Sequence, residues 1–157
     1  MIIDVVIAST SRFQRYGSVG HPEEANDLSG KVILERINAS GHTARYSLFP
    51  DGLGLREVVE KSDADVVVIC GGTGLTPLDL TIEAVEPLFE KTLPGFGEIF
   101  RYKSLEEVGT RAMLTRAAAG VYQGQAVFCL PGSPGAARLG IDLILAEINH
   151  IIGHIRE

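Results

Sequence analysis

Apolar residues fall into short continuous runs that predict buried strands. The run Ile2–Ala8 is interrupted only by Asp4, which is typical of a strand that is covered on both faces. Residues 42–49 form a second predicted strand. The third, residues 65–70, contains four β-branched residues in succession and has the strongest strand pattern of the chain.

Helical periodicity separates these strands. Asp27 is predicted to cap a helix in which apolar residues recur at helical spacing, and Gly41 ends that helix. An amphipathic helix is predicted over Pro134–Ile155. Further helices are predicted at residues 55–62, at 81–91 with a break at Pro87, and at 110–119, and residues 95–107 are predicted as a loop that leads into a helix. In contrast, residues 9–26 show little periodicity and are predicted to form a long polar loop.

The order of these elements predicts an α/β protein. Strands that alternate with helices favour a mostly parallel sheet with right-handed crossovers. Val121 and Tyr122, a turn at Gln123 and Gly124, and residues 125–130 predict an antiparallel edge hairpin. We expect a single domain over residues 1–157, with ligands bound at the carboxyl ends of the parallel strands.

The charge balance narrows the range of partners. Asp and Glu number 20 against 14 Lys and Arg, and the net charge of −6 argues against electrostatic binding to nucleic acid or an anionic membrane. No segment approaches the roughly 20 apolar residues of a membrane helix, and the N-terminal run lacks signal-peptide features. We therefore expect a cytoplasmic protein. Cys70 and Cys129 each end an apolar run, which predicts buried thiols without a disulfide.

A glycine-rich segment follows the third predicted strand. Its sequence is Gly71-Gly72-Thr73-Gly74-Leu75-Thr76, and a helix is predicted soon after it. Glycines let the backbone approach a ligand closely, and free amides with the hydroxyls of Thr73 and Thr76 can bind an anion. The segment lacks the lysine of a P-loop. It is therefore either a phosphate cradle or a tight turn that merely requires glycine.

Two aspartates are predicted to emerge at the same edge of the sheet. Asp79 follows the glycine segment and Asp51 follows the second strand. Carboxylates beside a phosphate cradle are ligands for Mg²⁺. The alternatives are a helix cap for Asp79 and a turn residue for Asp51.

Three further groups carry possible chemistry. Ser133, after the last predicted strand, can cap the long helix, whose N-terminus is a potential anion site. Phe96 and Arg101 could stack on a ring and pair with a phosphate, or be a core residue and a solvated cation. His150 and His154 have the i, i+4 spacing of metal ligands, but without an acidic third ligand nearby we favour surface or subunit-contact roles.

These motifs, taken together, resemble those of the MoaB/MogA family of molybdenum cofactor biosynthesis proteins, which includes gephyrin-like G domains. The resemblance spans residues 3–151. Its marks are Asp27-Leu28-Ser29-Gly30, Gly71 to Gly74 with Asp79 and residues 81–84, Pro94-Gly95-Phe96-Gly97-Glu98 with Arg101, and Leu130-Pro131-Gly132-Ser133-Pro134.

The resemblance implies a fold and an activity. The fold is a three-layer α/β domain with helices on both faces of the sheet, assembled as a trimer or hexamer and able to bind molybdopterin. In active members, the terminal phosphate of molybdopterin attacks the α-phosphate of Mg-ATP and expels pyrophosphate. The predicted activity is therefore molybdopterin adenylyltransferase. The alternatives are a catalytically silent molybdopterin-binding or scaffold protein and a CinA-type nucleotide pyrophosphatase.

The resemblance also assigns roles to residues. Asp51 and Asp79 would be catalytic and would bind Mg²⁺. Ser9, Asp27, Ser29 and Gly30 would lie near the nucleotide. The substrate site would comprise Gly71, Gly72, Thr73, Gly74, Thr76, Glu98, Arg101, Ser104, Pro131, Gly132, Ser133 and Pro134. Leu78 and Ile82 depart from the family pattern, which often has a basic residue and a proline at these positions.

Overall fold

The computed structural model describes all residues from Met1 to Glu157 and contains one six-stranded sheet. The strands are β1 (Ile2–Ala8), β2 (Thr43–Phe49), β3 (Val66–Cys70), β4 (Lys91–Thr92), β5 (Ala118–Tyr122) and β6 (Gln125–Leu130). Their order is β2-β1-β3-β6-β5-β4. Strands β2, β1, β3 and β6 are mutually parallel, whereas β5 is antiparallel to β6 and β4 is antiparallel to β5. The predicted mostly parallel sheet with an antiparallel edge is confirmed.

Helices cover both faces of this sheet. They are α1 (Thr10–Tyr16), α2 (Leu28–Ala39), α3 (Leu55–Lys61), α4 (Thr81–Val85), α5 (Pro94–Val108) and α6 (Pro134–Ile155). Apolar residues of α2, α5 and α6 form one buried cluster with the sheet, and those of α3 and α4 form a second cluster on the opposite face. The three-layer α/β architecture is therefore confirmed.

The central strands contribute to both clusters in alternation. Val66, Val68 and Cys70 of β3 face the first cluster, whereas Val67 and Ile69 face the second. Because successive side chains of a strand point to opposite faces, a strand covered on both faces must be apolar throughout. This is why β1, β3 and β6 appear in the sequence as continuous apolar runs.

Residues 9–26 correct the prediction of a polar loop. They form α1 and a short 3₁₀ helix, Pro22–Ala25. The side chain of Ser9 caps α1 by accepting a hydrogen bond from the N–H of Arg12 at 3.3 Å. No residue of α1 is buried. The helix therefore lacks the apolar periodicity on which the prediction relied.

The predicted helix at 110–119 is also wrong. Gly109–Leu114 is a 3₁₀ helix, and the chain then becomes extended and enters β5 at Ala118. Alanine favours helices in isolation, but here Ala119 and Gly120 are needed as small residues in a buried strand. The predicted helix at 81–91 ended at Lys91, which instead begins the two-residue strand β4. The predicted break of that helix at Pro87 is confirmed by a 3₁₀ segment, Glu86–Leu88.

Helix α6 spans the predicted residues, and most of its apolar face packs against the core of its own chain. Ile141, Ile144, Ile148 and Ile152 are all buried there. Six of the exposed large apolar side chains lie along α5 and the following 3₁₀ helix, namely Ile99, Tyr102, Leu105, Val108, Met113 and Leu114. None of the helices combines the length and the apolar character that crossing a bilayer requires.

The two cysteines are buried free thiols, as predicted. Burial raises the pKa of each thiol, Cys70 and Cys129, to about 12. Both remain protonated near neutrality and are therefore weak nucleophiles. The thiol of Cys70 donates a hydrogen bond to the carbonyl of Pro131 at 3.3 Å, which links the ends of β3 and β6.

Gly120 is required by close packing. A Cβ at this position would collide with the ring of Phe89 and would lie 2.8 Å from the carbonyl oxygen of Lys91. Gly120→Ala should therefore lower the free energy of unfolding by about 1–3 kcal/mol, measured by urea denaturation. Gly153→Ala is the matched control, because Gly153 lies in α6 with open space around its Cα, and it should stabilise by up to about 1 kcal/mol. Equal effects of the two substitutions would contradict the packing argument.

Candidate functional site

A cavity of about 470 Å³ lies at the carboxyl ends of β1, β3 and β6. From β1 the chain goes first to β2 on one side of β1 and then to β3 on the other side. The strand order therefore reverses between β1 and β3. Ligands of open α/β sheets bind at such a point. The cavity gathers predicted site residues from four segments: Ser9, Asp27, Ser29, Gly71, Gly72, Thr73, Gly74, Asp79, Pro131 and Gly132.

The glycine turn forms one wall of the cavity. Gly71 and Gly72 have φ angles of +113° and +70°, a region that side chains disfavour. The N–H of Gly71 donates to the carbonyl of Leu130 at 2.8 Å, and the hydroxyl of Thr81 donates to the carbonyl of Gly71 at 2.8 Å. A Cβ on Gly71 would collide with the carbonyl of Ala8. The wall is therefore made of main chain, held between neighbouring strands and α4.

Arg116 holds the glycine segment from the side. Its guanidinium donates to the carbonyl of Gly74 at 2.7 and 3.0 Å and to the carbonyls of Thr73 and Asp79, both at 3.3 Å. It also forms an ion pair with Glu83. The sequence did not point to Arg116, because it stood within a predicted helix and far from the glycines along the chain.

Asp79 closes the same segment on itself. One oxygen of its carboxylate, Oδ2, accepts hydrogen bonds from the N–H and the hydroxyl of Thr76, at 2.9 and 2.8 Å. Thr76 itself is exposed and does not line the cavity. The carboxylate of Asp79 is thus oriented at the cavity wall by a local turn.

Asp51 lies behind the glycine wall and does not line the cavity. Its Oδ1 accepts a hydrogen bond from the N–H of Leu80 at 3.1 Å. A Cβ on Gly72 would lie 2.5 Å from its Oδ2, so the missing side chain of Gly72 makes room for this carboxylate. Burial raises the pKa of Asp51, and the negative charges of Asp79 and Glu83 raise it further.

The two aspartates fit a magnesium ion by the chemistry of their donors. Carboxylate oxygens are preferred Mg²⁺ ligands, and Mg²⁺ commonly uses one or two of them together with substrate phosphates and water. The pKa of Asp51 is raised first by burial and further by the negative charges of Asp79 and Glu83, and a nearby cation would offset both effects. No group of three or more His, Cys, Asp or Glu side chains is arranged to hold a metal ion. A magnesium ion here would therefore take its other ligands from the substrate and from water.

The opposite wall is organised around Asp27. This side chain is only 4% exposed; its Oδ1 accepts from the N–H of Gly30 at 2.9 Å, and its Oδ2 accepts from the hydroxyl of Tyr46 at 2.7 Å. Burial and the charge of Asp27 raise the pKa of Tyr46, which therefore stays a hydrogen-bond donor. The hydroxyl of Ser29 donates to the carbonyl of Gly132 at 2.7 Å. These bonds join the start of α2 to the end of β6.

Two buried polar atoms in this protein have no hydrogen-bond partner, and both belong to residues that line the cavity. They are Nε of Arg12 and Oγ1 of Thr115. Leaving a buried donor unsatisfied costs about 1–3 kcal/mol, so such atoms usually mark a place for a ligand, ion or water. Arg111 adds a second cation to the lining. Neither Arg12 nor Thr115 was predicted, because both lie in segments whose secondary structure was predicted wrongly.

The remaining predicted residues lie outside this cavity. Ser133 is exposed and caps α6 by accepting from the N–H of Ala136 at 3.2 Å, with Pro134 in the first turn. Glu98 and Arg101 line a neighbouring cavity of about 490 Å³, which shares Thr115 with the first. Arg101 donates to the carbonyl of Ala117 at 3.1 Å. Ser104 is buried within α5 and lines neither cavity.

Residues 4–150 match the family described as "Probable molybdopterin binding domain". The chain belongs to this family. It is 46% identical over 147 residues to the molybdopterin adenylyltransferase of Pyrococcus furiosus, with 88% of this chain and 86% of that protein covered. The identity is 40% over 158 residues to the probable molybdopterin adenylyltransferase of Methanocaldococcus jannaschii, with 98% and 93% covered.

Solved structures support the same assignment. The fold is similar to the crystal structure of a molybdenum cofactor biosynthesis protein B, with a TM-score of 0.86 and 37% identity over 99% of this chain and 96% of that chain. The resemblance to the MoaB/MogA family that the motifs indicate is confirmed. In this molybdopterin-binding family member, the glycine segment, both aspartates and the start of α2 meet at one edge of the sheet.

Arg116 should control the rigidity of the glycine segment. Arg116→Met removes the hydrogen bonds to the carbonyls of Thr73, Gly74 and Asp79, and bonds from a charged donor are worth about 1.5–3 kcal/mol. Hydrogen exchange of the amides in residues 73–79 should accelerate at least about tenfold. Arg56→Met, which breaks only the exposed pair with Glu60, is the control and should leave these amides unchanged. Unchanged exchange in Arg116→Met would remove the assigned role.

Proposed function

We propose that this protein is a molybdopterin adenylyltransferase of molybdenum cofactor biosynthesis. It would join the terminal phosphate of molybdopterin to the α-phosphate of ATP and release pyrophosphate. An oxygen of the molybdopterin phosphate attacks the α-phosphorus, and the bond from that phosphorus to the pyrophosphate oxygen breaks. Two relatives are named for this activity, and each matches this chain over most of the length of both proteins, which supports the proposal.

The observation that carries the proposal is the pair of unpartnered donors in the cavity. Arg12 and Thr115 both line this cavity, each has one buried side-chain polar atom without a partner, and Arg111 adds a positive charge. An otherwise acidic protein with a net charge of −6 thus has a local site for an anion. Charge-assisted hydrogen bonds to phosphate oxygens would satisfy these atoms.

The rest of the cavity would position the two substrates. In the proposal, the backbone of Gly71 to Gly74 and the hydroxyl of Thr73 contact the pterin and its phosphate. Ser9, Asp27, Ser29 and Gly30 lie on the nucleotide side. Pro131, Gly132, Ser133 and Pro134, at the start of α6, favour an anion through the helix dipole. Glu98, Arg101 and Ser104 would act from the neighbouring cavity and α5, and Thr76 would act by holding Asp79.

Catalysis would consist largely of positioning and charge stabilisation. The nucleophile belongs to the substrate, so the protein must hold two anionic groups in line and offset their charge. Asp51 and Asp79 would hold a Mg²⁺ ion, which would supply positive charge beside the phosphates. The loop fixed by Arg116 would keep Asp79 in place, and the wall at Gly72 would keep Asp51 close behind the reacting groups.

Self-association and a cytoplasmic location complete the proposal. The exposed apolar stripe of α5, which contains Ile99, Tyr102, Leu105 and Val108, is available for contact with a second copy in a trimer or hexamer. The proposed subunit contact therefore lies on α5. The apolar face of α6 is covered within the chain and is not available for such a contact. No nucleic acid or membrane partner is proposed.

The deciding experiment incubates the purified protein with molybdopterin, ATP and Mg²⁺ and measures adenylylated molybdopterin and pyrophosphate. Equal amounts of both products at catalytic rates are expected. Tight molybdopterin binding without product would instead indicate the silent binding or scaffold protein. Hydrolysis of a dinucleotide such as ADP-ribose, without adenylyl transfer, would indicate the pyrophosphatase. Omission of Mg²⁺ should abolish product formation if the two aspartates hold the ion.

The aspartates should affect activity and stability in opposite directions. Asp79→Asn and Asp51→Asn should each lower kcat at least about tenfold, because a charged metal ligand matters most in the transition state. Asp51→Asn should also raise the urea midpoint at neutral pH. Its raised pKa means that ionisation of Asp51 costs stability as the pH rises through that pKa, and asparagine carries no charge to bury.

The two measurements separate a functional from a structural role. Loss of activity with a gain of stability is the signature expected of a carboxylate kept for chemistry. A fall in both would show that Asp51 mainly supports the fold through the N–H of Leu80. Asp63→Asn serves as an exposed control that lies outside the site and should leave kcat unchanged.

Arg12 should contribute to nucleotide binding. Arg12→Met should raise the KM for ATP about 10- to 100-fold, the value expected for loss of a charged hydrogen bond worth about 1.5–3 kcal/mol. Arg15→Met, in the same helix, is the control, because Arg15 lies over the ring of Tyr16 and does not line the cavity. A similar KM in both variants would exclude Arg12 from the site.

A further inference from the structure

Two exposed histidines near the end of α6 point their ring nitrogens at each other. The Nε2 atoms of His150 and His154 lie 2.9 Å apart, and the ring centroids lie 4.6 Å apart. Both side chains are largely exposed, at 72% and 65%. The pair lies about 25 Å along the helix from Ser133, at about 1.5 Å per residue, and is therefore remote from the cavity.

Each ring has a carboxylate beside its other nitrogen. Nδ1 of His150 lies 3.7 Å from Glu147, and Nδ1 of His154 lies 3.6 Å from Glu157. At these distances the carboxylates add negative charge beside the rings but are too far away for hydrogen bonds, so they do not fix which ring nitrogen carries the proton. The two Nε2 atoms, 2.9 Å apart, can share one proton in a hydrogen bond or can bind the same metal ion when both are unprotonated.

The spacing of the nitrogens matches a particular coordination geometry. Bonds from a metal to imidazole nitrogen are about 2.0–2.1 Å long, and two such bonds meeting at about 90° place their nitrogens about 2.9 Å apart. Tetrahedral bonds of the same length would require about 3.3 Å. Right angles between nitrogen ligands are characteristic of square-planar or tetragonal Cu(II) and Ni(II).

We propose that His150 and His154 form a binding site for a divalent transition metal of the Cu(II) and Ni(II) class. The two Nε2 atoms chelate the ion from one face of α6, and water occupies the other positions. Glu147 and Glu157 add negative charge behind the rings, which favours a bound cation. The acidic residues beside the two rings are Glu147 of α6 and Glu157, which follows the helix. This site is independent of the proposed adenylyltransferase function.

The test titrates metal-free protein with CuCl₂ and follows binding by calorimetry and by electron paramagnetic resonance. One equivalent of Cu(II) coordinated by two imidazole nitrogens is expected. His150→Ala and His154→Ala should each weaken this binding at least about tenfold, since even loss of a supporting carboxylate typically costs about 10- to 100-fold. Glu147→Gln should cause a smaller loss, and circular dichroism should show that all variants are folded.

The control is the competing site at the other end of the chain. The N-terminal amine of Met1 lies 3.4 Å from Nδ1 of His42 and offers another pair of nitrogens. His42→Ala should leave the high-affinity equivalent intact. If copper binding survives in His150→Ala but is lost in His42→Ala, or if the spectrum shows one protein nitrogen only, the proposal is overturned.

Discussion

Burial of the central strands on both faces is the constraint on which the rest of this structure depends. β1, β3 and β6 are apolar along most of their length, with Asp4 and Gln125 near the starts of their strands as exceptions, because each face packs against a layer of helices. Chemistry is therefore displaced to the carboxyl ends of these strands. Ser9, Gly71 and Pro131 each follow directly after the last apolar residue of their strand, and parallel pairing brings the three ends together. The location of the cavity is thus a consequence of hydrophobic burial.

Loops at such an edge must be fixed by polar contacts, because little apolar surface is available to pack them. Arg116 holds the glycine segment through main-chain carbonyls, and Asp27 holds the opposite wall through Gly30 and Tyr46. The hydroxyl of Ser29 then joins that wall to Gly132. The buried side-chain polar atoms that still lack a hydrogen-bond partner belong to Arg12 and Thr115. The network therefore separates residues that stabilise the site from residues that are free to bind a ligand.

The predictability of these features follows from how local their signals are. The parallel strands, α2, α6 and the glycine segment could be predicted because burial periodicity, caps and glycines are read over a few neighbouring residues. Asp27 as a cap was found in this way. Arg116 and Tyr46 could not be predicted, because their partners are distant along the chain. Arg116 binds the carbonyl of Asp79 across 37 positions, and Tyr46 binds Asp27 across 19. Helix α1 was missed because it buries no residue, and only Val121 and Tyr122 of β5 were predicted as a strand because the alanines before them favour a helix locally.

The wall at Gly72 also bears on how this pocket can change over evolution. Its surface is main chain, with Asp51 and Thr81 filling the space where any side chain would have to go. A substitution at Gly71 or Gly72 therefore cannot adjust the shape of the pocket without expelling a neighbour. Side chains around the rim, such as Arg111 and Leu114, are exposed and can change without such a displacement. The pocket thus combines a glycine wall that resists substitution with a rim of side chains that can change, so that new specificities can arise while the reacting centre is left undisturbed.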